Sequence, residues 1–193
     1  YGFPLKQIKS TINVNAGQTI TRSPAMINNQ INYSNTFNSN GGRVVASNVS
    51  EMLDFTISYS ANYNIVRNTL QSTANSSFLI QNFNFKLNYM PTKHIVLNTD
   101  ITNSSYSGLG SAYNLSIWLV NGGIGYKFLK DNRGELRLSV FDALKLNNSI
   151  SRTVTENYIE DKTTQILTRF YMMTFTYAIR NFNANAKKKA ATN

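Results

Sequence analysis

Apolar and polar residues alternate along much of the chain. In residues 81–89, QNFNFKLNY, the apolar positions Phe83, Phe85, Leu87 and Tyr89 share one parity, and asparagine and lysine take the other. A period of two places the two sets on opposite faces of a β-strand. The pattern therefore predicts a strand with one apolar and one polar face, and it leaves open which face meets water.

A second stretch, residues 53–65 (LDFTISYSANYNI), alternates without exception. At about 3.3 Å per residue, such a strand extends about 43 Å, whereas strands of soluble proteins are usually about 5–6 residues long. Tilted by about 40°, it would rise about 33 Å and cross the apolar band of about 25 Å that faces lipid in outer-membrane barrels. Strand length therefore favours an antiparallel transmembrane β-barrel.

The same alternation predicts eight long strands. They cover residues 7–21, 30–47, 52–67, 77–90, 94–105, 114–129, 134–147 and 164–181. The second strand is the least regular, because its apolar phase shifts near Gly41 and Gly42. We interpret this shift as a β-bulge.

The predicted connections alternate between short and long. NVSE, MPTK and KDNRG are short, whereas SPAMINN, NTLQSTANS, SSYSGLGSA and NNSISRTVTENYIEDKT are longer. Outer-membrane barrels have short turns on the periplasmic side and longer loops outside. The alternation therefore predicts that both ends of the eight-strand run lie in the periplasm.

Composition agrees with an all-β chain. Asparagine occupies 28 positions, Tyr and Phe 11 each, and proline only 3. No run approaches about 18 consecutive apolar residues, so no transmembrane helix is expected. The absence of cysteine removes disulfides and thiol chemistry. The chain opens at Tyr1 without the features of a signal peptide, so we expect a removed leader or a piece of a longer protein.

The net charge of +10 raises the question of nucleic acid. Three lysines lie in the terminal AKKKAATN, and the other basic residues are scattered from Lys6 to Arg180. A nucleic-acid binder concentrates basic residues on one element, so no nucleic-acid partner is expected. We expect solvated strand ends and interior side chains, with attraction to lipopolysaccharide phosphates or an anionic solute as the alternative.

The later part of the chain resembles a known family. GYKFLKDNRGELRLSVFDAL, NNSISRTVTENYIED and RFYMMTFTYAIRNF, within residues 125–182, resemble the C-terminal barrel portion of Bacteroidota TonB-dependent outer-membrane receptors, in particular their outer membrane β-barrel protein family. Looser similarity reaches back through residues 40–64. The resemblance implies a barrel of about 22 strands with an N-terminal plug, which imports a scarce solute with energy relayed by TonB.

The resemblance also implies a location and partners. The location is the bacterial outer membrane, and the partners are outer-membrane lipid and lipopolysaccharide, the remainder of the receptor including its plug, TonB through the missing N-terminal part, the barrel-assembly machinery, and a surface lipoprotein. The chain departs from the family in lacking the plug and in carrying only about eight strands of barrel. We expect residues 1–182 to form the barrel portion and residues 183–193 a disordered basic tail. Phe182 resembles the terminal aromatic of an assembly signal, with an ordinary interfacial aromatic as the alternative.

Parity and strand position assign residues to two surfaces. The residues predicted to line the lumen are Arg22, Asn62, Asn82, Asn84, Lys86, Arg137 and Thr176. Those predicted to face lipid or to form aromatic girdles are Phe55, Tyr59, Tyr63, Phe83, Phe85, Tyr89, Tyr126, Phe128, Phe175 and Tyr177. The alternative is the core of a sandwich, where so many tyrosines are less suitable because each buried hydroxyl needs a partner.

Catalytic chemistry is not expected. His94 is the only histidine, whereas a metal site needs three or four ligands, so we expect a solvent-facing or interfacial histidine and no cofactor. The carboxylates of Glu156, Glu160 and Asp161 are expected to be solvated loop charges. Asp142 shares the parity of neighbouring leucines, which predicts either a bulge that turns it inward or a basic partner.

Two other functions remain open. One is a complete eight-stranded outer-membrane barrel with a structural or adhesive role and an interior filled by side chains. The other is a secreted β-sandwich that binds glycan. An importer wall needs further strands, a small barrel should be monodisperse in detergent, and a sandwich should be soluble without detergent.

Overall fold

Strands make up most of the part of the chain that the structure describes. The computed structural model describes residues 1–5, 9–50, 52–70, 72, 75–108, 114–146, 150–154, 159–163 and 167–179. The strands are β1 (Gly2–Leu5), β2 (Ser10–Ile27), β3 (Gln30–Ser50), β4 (Leu53–Asn68), β5 (Ser76–Tyr89), β6 (Ile95–Ser107), β7 (Leu115–Phe128), β8 (Gly134–Phe141), β9 (Ile150–Val154), β10 (Ile159–Thr163) and β11 (Phe170–Tyr177), with a short 3-10 turn at Lys130–Asn132. The all-β prediction is confirmed. Among these residues there is no helix of the length and apolarity needed to cross a membrane.

Nine strands form one antiparallel sheet in the order β1-β2-β3-β4-β5-β6-β7-β8-β11. β9 and β10 form a separate hairpin between β8 and β11. In the part of the chain that the structure describes, β1 and β11 each pair on one side only. The sheet is therefore open, and its strands do not close into an eight-stranded barrel.

The connections lie at two ends of the sheet. β3, β5 and β7 end, and β4, β6 and β8 begin, at one end of the sheet, which we call the short-turn end; β4, β6 and β8 end, and β5, β7 and β11 begin, at the other, the long-loop end. The connections between these strands alternate between short and long, as predicted. β2 begins and β11 ends at the short-turn end, whereas β1 starts at Gly2, opposite Asn13 of β2, and runs toward that end.

The first long hairpin differs from its prediction. SPAMINN was expected to be a loop, but β2 continues to Ile27 and turns at Asn28 and Asn29, whose φ angles are 49° and 62°. Two residues with positive φ form the tight hairpin turn that matches strand twist, and asparagine tolerates this conformation. The strand therefore extends further than the apolar alternation indicated.

Pro24 is compatible with this longer strand. The Val14 N–H donates to the Tyr1 carbonyl at 2.8 Å, so even-numbered residues of β2 direct their N–H groups away from β3. Pro24 shares this parity, and β1 pairs with β2 only as far as Asn13. The missing N–H of Pro24 therefore removes no bond from the ladder between β2 and β3.

The predicted bulge at Gly41 and Gly42 is wrong. Both glycines keep an uninterrupted register with β2 and β4, and the irregularity in β3 lies between Asn48 and Ser50. A Cβ on Gly42 would come within 2.8 Å of Asn15 Oδ1. Glycine at position 42 therefore leaves room for the Asn15 side chain, and it does not mark an extra residue in the strand.

Little apolar surface is fully buried. Among the described residues, the buried hydrophobic side chains are Val66, Phe78 and Val96. All three lie on the face of the sheet that carries most of the polar residues. A soluble domain of this length normally buries one continuous hydrophobic core, and this single-layer sheet does not.

Candidate functional site

The strand register sorts side chains into two faces. Directly paired residues in an antiparallel sheet point to the same side. Tyr59 pairs with Phe83, and the adjacent residues Ser58 and Asn84 pair with each other on the opposite side. We call the side of Tyr59 the apolar face and the side of Asn84 the polar face, and both continue from β2 to β11.

The register agrees with nearly all of the predicted face assignments. The apolar face carries Phe55, Tyr59, Tyr63, Phe83, Phe85, Tyr89, Tyr126, Phe128, Phe175 and Tyr177. The polar face carries Asn62, Asn82, Asn84, Lys86, Arg137 and Thr176. The grouping follows from the register, whereas contact of one face with lipid and of the other with a lumen stays a prediction.

Arg22 is the exception, and its assignment to the polar side is wrong. It pairs with Asn35, next to the Ile20–Phe37 pair, on the apolar face. The predicted strand ended at residue 21, but β2 continues and keeps Arg22 on the parity of Ile20. Its guanidinium carbon lies 3.8 Å from the centroid of the Tyr33 ring, which is a favourable cation–π geometry.

The apolar face is open to its surroundings. Tyr171 is 68% exposed, Phe175 58% and Ile20 66%. On β4, the polar-face residues Ser60 and Asn62 are half-buried although they are small and hydrophilic. On this strand the polar side is thus no more exposed than the apolar side, which is the reverse of a soluble sheet that packs its apolar side inward.

Polar contacts, between β5 and β6 and within β8, involve several of the predicted lumen residues. Asn84 Nδ2 donates to Asp100 Oδ1 at 3.2 Å, and Lys86 Nζ lies 3.8 Å from Asp100 Oδ2. Arg137 donates from Nε and Nη2 to Glu135 Oε1 at 2.8 and 2.6 Å. Exposed ion pairs add little stability. They instead give the polar face pairs of opposite charge on β5–β6 and on β8.

A cavity of about 240 Å³ lies on the polar face above Gly42. Its lining includes the amide and hydroxyl residues Asn15, Ser58, Ser60, Asn82 and Asn84, together with Arg43, Val44, Tyr59 and Phe83. Gly42 is paired with Asn15 on one side and Ser60 on the other, so the register brings these lining residues together. Sequence reasoning missed it, since only the register brings these positions together.

Aromatic residues cluster at the short-turn end of the apolar face. The rings of Tyr126 and Phe128 stack at 6.4 Å between centroids, and Phe128 lies 6.0 Å from Phe175 across β8. His94 contacts the same cluster at 6.1 Å from Tyr126. The structure thus brings together three of the predicted girdle residues.

His94 is exposed, as predicted, and organises a turn. Its Nδ1 lies 3.1 Å from the Lys127 carbonyl, and its own carbonyl accepts a hydrogen bond from the Lys127 N–H. Among the described residues, no group of three or more His, Cys, Asp or Glu side chains is placed to hold a metal ion. The geometry of His94 is that of a structural residue.

Asp142 is buried at a turn after β8, and no strand bulge is needed to place it there. β8 ends at Phe141, and Asp142 adopts a left-handed conformation with φ of 49°. Its backbone N–H donates to Asn121 Oδ1, and its Oδ1 accepts the Leu146 N–H at 3.1 Å. Asp142 is therefore a buried turn residue, so the parity of the strand does not apply to it.

Some predictions fall outside the described residues. These are Glu156, Phe182 and the tail at residues 183–193. Glu160 lies in the β9–β10 hairpin and is exposed, and Asp161 occupies the same strand. The hairpin itself lies within the long connection that was predicted to be a loop.

The strands are staggered across the sheet. One row of directly paired residues runs Ser10, Ser47, Phe55, Leu87, Thr99, Gly122, Val140, Tyr171. Ser10 is the first residue of β2, which extends from this row toward the long-loop end, whereas β11 extends from Tyr171 toward the short-turn end. The midpoint of β2 is thus displaced from that of β11 by about 11 residues along the strand direction, which is about 36 Å. The two strands are seven positions apart in the sheet, which is about 34 Å across the strands.

The exposed apolar residues follow the same diagonal. On β2 and β3 they reach Met26 and Ile31, at the long-loop end. On β8 and β11 they include Leu136 and Phe175, near the short-turn end. The apolar surface is therefore a band that crosses the strands at about 45°.

These observations define an all-β chain with one open antiparallel nine-stranded sheet, an exposed diagonal apolar band and a polar opposite face. No family model, curated protein or solved structure matches the chain. The likeness to TonB-dependent receptors stays a prediction from the residues quoted above.

Proposed function

We propose that this sheet is part of the wall of a TonB-dependent importer in a bacterial outer membrane. The apolar face contacts lipid, and the polar face lines a water-filled interior. The observation that carries the proposal is the exposed apolar band crossing the strands at about 45°. The importer assignment itself rests on the family resemblance.

A membrane explains the diagonal directly. Strands of transmembrane barrels are tilted by about 35–45°, so a flat lipid layer meets each successive strand at a position displaced along it. On β4, the apolar run from Leu53 to Ile65 extends about 40 Å and rises about 28 Å at a tilt of 45°. This rise agrees with the apolar band of about 25 Å in outer-membrane barrels.

Aromatic positions agree with this orientation. Along the diagonal they fall into two lines near the edges of the band. One line contains Phe37, Tyr63, Trp118 and Tyr171, and the other contains Tyr89, Tyr126, Phe128, Phe175 and Tyr177. Tyrosine and tryptophan favour the boundary between lipid and water, because one end of the ring is apolar and the other forms hydrogen bonds.

The exposed face argues against a soluble sandwich. A sandwich would place a second sheet over Phe55, Phe85 and Phe175, yet Phe175 is 58% exposed. Soluble monomers rarely expose contiguous apolar patches larger than a few hundred Å². Lipid is the environment that stabilises such a surface without a second protein layer.

The open edges favour a larger barrel. β1 and β11 leave unpaired backbone groups, and beyond Asn13 the side of β2 turned away from β3 has no described partner strand. Each unsatisfied group costs several kcal/mol in hydrocarbon. The proposal therefore requires further strands to complete the wall.

Cysteine accessibility tests the orientation. The chain contains no cysteine, so single variants can be labelled without background. We compare Asn84→Cys with Phe83→Cys, neighbours on opposite faces of β5. In intact outer membranes, a charged water-soluble methanethiosulfonate should label Asn84→Cys and leave Phe83→Cys unmodified, whereas both should react after unfolding.

Ser58→Cys and Tyr59→Cys repeat the comparison on β4. Equal labelling of the two faces in intact membranes, or recovery of the protein outside the membrane fraction, would contradict the proposal. The importer assignment is tested separately by cross-linking in cells. In cells that produce this chain joined to the remainder of the receptor, a TonB adduct should appear in the parent strain and be absent when TonB is deleted.

A further inference from the structure

One charged side chain lies near the middle of the apolar face. Arg43 pairs directly with Tyr59, so the register places it on that face, and it is exposed. Tyr59 is the midpoint of the apolar run from Leu53 to Ile65 on β4. One strand step at a tilt of about 45° puts Arg43 within about 4 Å of the depth of Tyr59. In the proposed orientation, Arg43 is therefore a cation near the membrane midplane, where a charge on the lipid face is most costly.

The Arg43 side chain lacks the neighbours that hold the other two arginines of this face. Arg67 follows the end of the apolar run of β4, and its Nη1 donates to two backbone carbonyl oxygens at 3.0 and 3.3 Å. Arg22 lies over the ring of Tyr33. Among the described residues, the side chain of Arg43 takes part in no ion pair or hydrogen bond. All five N–H donors of its guanidinium are therefore available to a ligand.

Gln81 adds further donors on the same face. Its Oε1 accepts a hydrogen bond from the Tyr59 hydroxyl at 2.7 Å, and its Nε2 has no acceptor among the described residues. We call Arg43, Tyr59 and Gln81 the polar island. The island carries one positive charge and more hydrogen-bond donors than acceptors. A ligand that satisfies it must therefore supply acceptor oxygens and a negative charge.

The surface beside the polar island is low. Ala16, Gly41 and Ala61 are directly paired across β2, β3 and β4, one same-face row from Arg43 toward the long-loop end. Within 4 Å, a Cβ on Gly41 would contact only the Asn15 carbonyl oxygen, at 3.8 Å, so the space above Gly41 is open. Small residues let a neighbouring backbone approach closely inside a membrane. These three residues, which we call the small-residue depression, therefore leave room for another chain next to the charge.

Lipid does not supply the missing acceptor. In an apolar band of about 25 Å, the phosphates of lipid headgroups lie at least about 9 Å from the depth of Arg43. Acyl chains at this depth carry no hydrogen-bonding group. The further strands that the proposed wall requires extend the sheet at its edges and do not cover its face. The acceptor must therefore come from a protein that crosses the membrane beside this face.

A second copy of the same face does not fit. In the described strands of the main sheet, the charged residues of the apolar face are Arg22, Arg43 and Arg67, and the acidic residues Asp54, Asp100 and Glu135 lie on the polar face. Two copies packed through their polar islands would bring cations together without a carboxylate, which is unfavourable. The partner is therefore a different protein.

We infer that the polar island and the small-residue depression bind a different membrane-spanning protein, through an aspartate or glutamate side chain at mid-membrane depth. The inference rests on the proposed function, because it requires the apolar face to lie in the membrane. A guanidinium binds a carboxylate through two parallel charge-assisted hydrogen bonds, and such bonds are stronger where water is excluded. Close packing over the depression buries this pair.

Cross-linking in cells tests for the partner. The whole receptor, with this chain joined to its remainder, carries photoreactive p-benzoylphenylalanine in place of Ile57, which pairs with Val45 one same-face row from Arg43. Irradiation should give one protein adduct, and mass spectrometry should place the cross-linked peptide in a membrane-spanning segment that contains Asp or Glu. The same amino acid in place of Leu138, exposed on the same face of β8, should give no such adduct.

Charge variants test whether Arg43 recognises the carboxylate. R43Q should lower the adduct yield at least about tenfold, because the buried carboxylate loses its charged partner. R43K keeps the charge and should retain part of the yield. R67Q is the matched control, since it removes the same charge from the same face, and its yield should equal that of the parent.

Changes in the identified partner complete the test. Replacement of the partner's carboxylate by the corresponding amide should cause the same loss as R43Q. R43E combined with arginine at that position of the partner should restore the adduct. Every yield is divided by the amount of receptor in the outer-membrane fraction, so poor insertion of a variant is not counted as lost binding.

Absence of a protein adduct, or an adduct only with lipid, with a second copy of the receptor or within one receptor chain, would overturn the inference. Equal yields from parent and R43Q, or an equal loss in R67Q, would do the same. Quenching of Trp118 by lipids brominated in the acyl chain is recorded in parallel. If quenching persists and no carboxylate-bearing partner is cross-linked, the partner site fails and the membrane placement stands. Absence of quenching in every variant overturns both.

Discussion

Tyr59 donates a hydrogen bond from its hydroxyl to Oε1 of Gln81, 2.7 Å away, on the apolar face. Tyr59 pairs with Phe83 and Gln81 with Ala61, so the two polar side chains are diagonal neighbours on adjacent strands. In the proposed orientation Tyr59 lies between the two aromatic lines, where no water is available. Because hydrocarbon offers no hydrogen-bond partner, the Tyr59 hydroxyl and Gln81 Oε1 are each satisfied by the other.

Loss of the Tyr59 hydroxyl should destabilise the membrane-bound protein. Tyr59→Phe leaves Gln81 Oε1 without this donor, and we expect a loss of about 1–2 kcal/mol in the free energy of unfolding. The double variant Y59F/Q81L removes both polar groups and should recover most of this loss. Urea unfolding in liposomes measures both changes, and an unchanged Y59F would contradict burial of this face in lipid.

The single tryptophan reports directly on the apolar face. Trp118 pairs with Asn103 on this face and is 41% exposed. Lipids brominated in the acyl chain should quench its fluorescence strongly, and aqueous acrylamide should quench it weakly. The matched control W118F/I117W moves the indole one residue along β7 to the polar face, where the order of the two quenchers should reverse. The same order in both proteins would contradict the proposed orientation.

Adjacent glycines of β3 should differ in their tolerance of a methyl group. A Cβ on Gly42 would meet Asn15 Oδ1 at 2.8 Å and the Tyr59 carbonyl oxygen at 3.3 Å, whereas one on Gly41 meets only the Asn15 carbonyl oxygen at 3.8 Å. We expect Gly42→Ala to lower the free energy of unfolding by about 1–2 kcal/mol. Gly41→Ala should be neutral or stabilise by up to about 1 kcal/mol. Denaturant midpoints of the two variants check this ranking, and equal midpoints would refute it.

The turn after β8 should depend on the side chain of Asp142. Asp142→Ala removes the acceptor of the Leu146 N–H and places alanine at a φ of 49°. We expect a loss of about 1–3 kcal/mol in stability, because a bond from a buried group is lost and the conformation is strained. Asp142→Asn keeps an acceptor oxygen and tolerates this φ, so its loss should be smaller. Thermal unfolding of the parent, Asp142→Ala and Asp142→Asn proteins gives their order of stability. An equal loss in the two variants would show that the negative charge of Asp142, and not its acceptor oxygen or its φ angle, stabilises the turn.

The local pattern predicted most of the fold because strand geometry is local. Alternate side chains of any strand point to opposite sides, so parity alone grouped Phe83 with Tyr59 and Asn84 with Lys86. Arg22 was misplaced only because the end of β2 was set too early. The stretch that follows it looked like a loop, and the conformation of Asn28 and Asn29 was not visible in the alternation.

The candidate site was less predictable than the strands. Alternation does not say which residue of one strand lies opposite which residue of the next. The cavity at Gly42 and the position of Arg43 beside Tyr59 both depend on that pairing. The Tyr59–Gln81 bond needs the same information, since the two residues lie on different strands.

Residue parity and turn chemistry act over a few neighbours, so the amino-acid pattern was enough to predict a run of long two-faced strands whose connections alternate between short and long after β3. The register, the stagger that sets the apolar band across the strands, the end of β8 at Phe141 and the open edges at β1 and β11 came from the folded structure alone. These features arise from hydrogen bonding between residues distant in the chain, and no local pattern encodes that pairing.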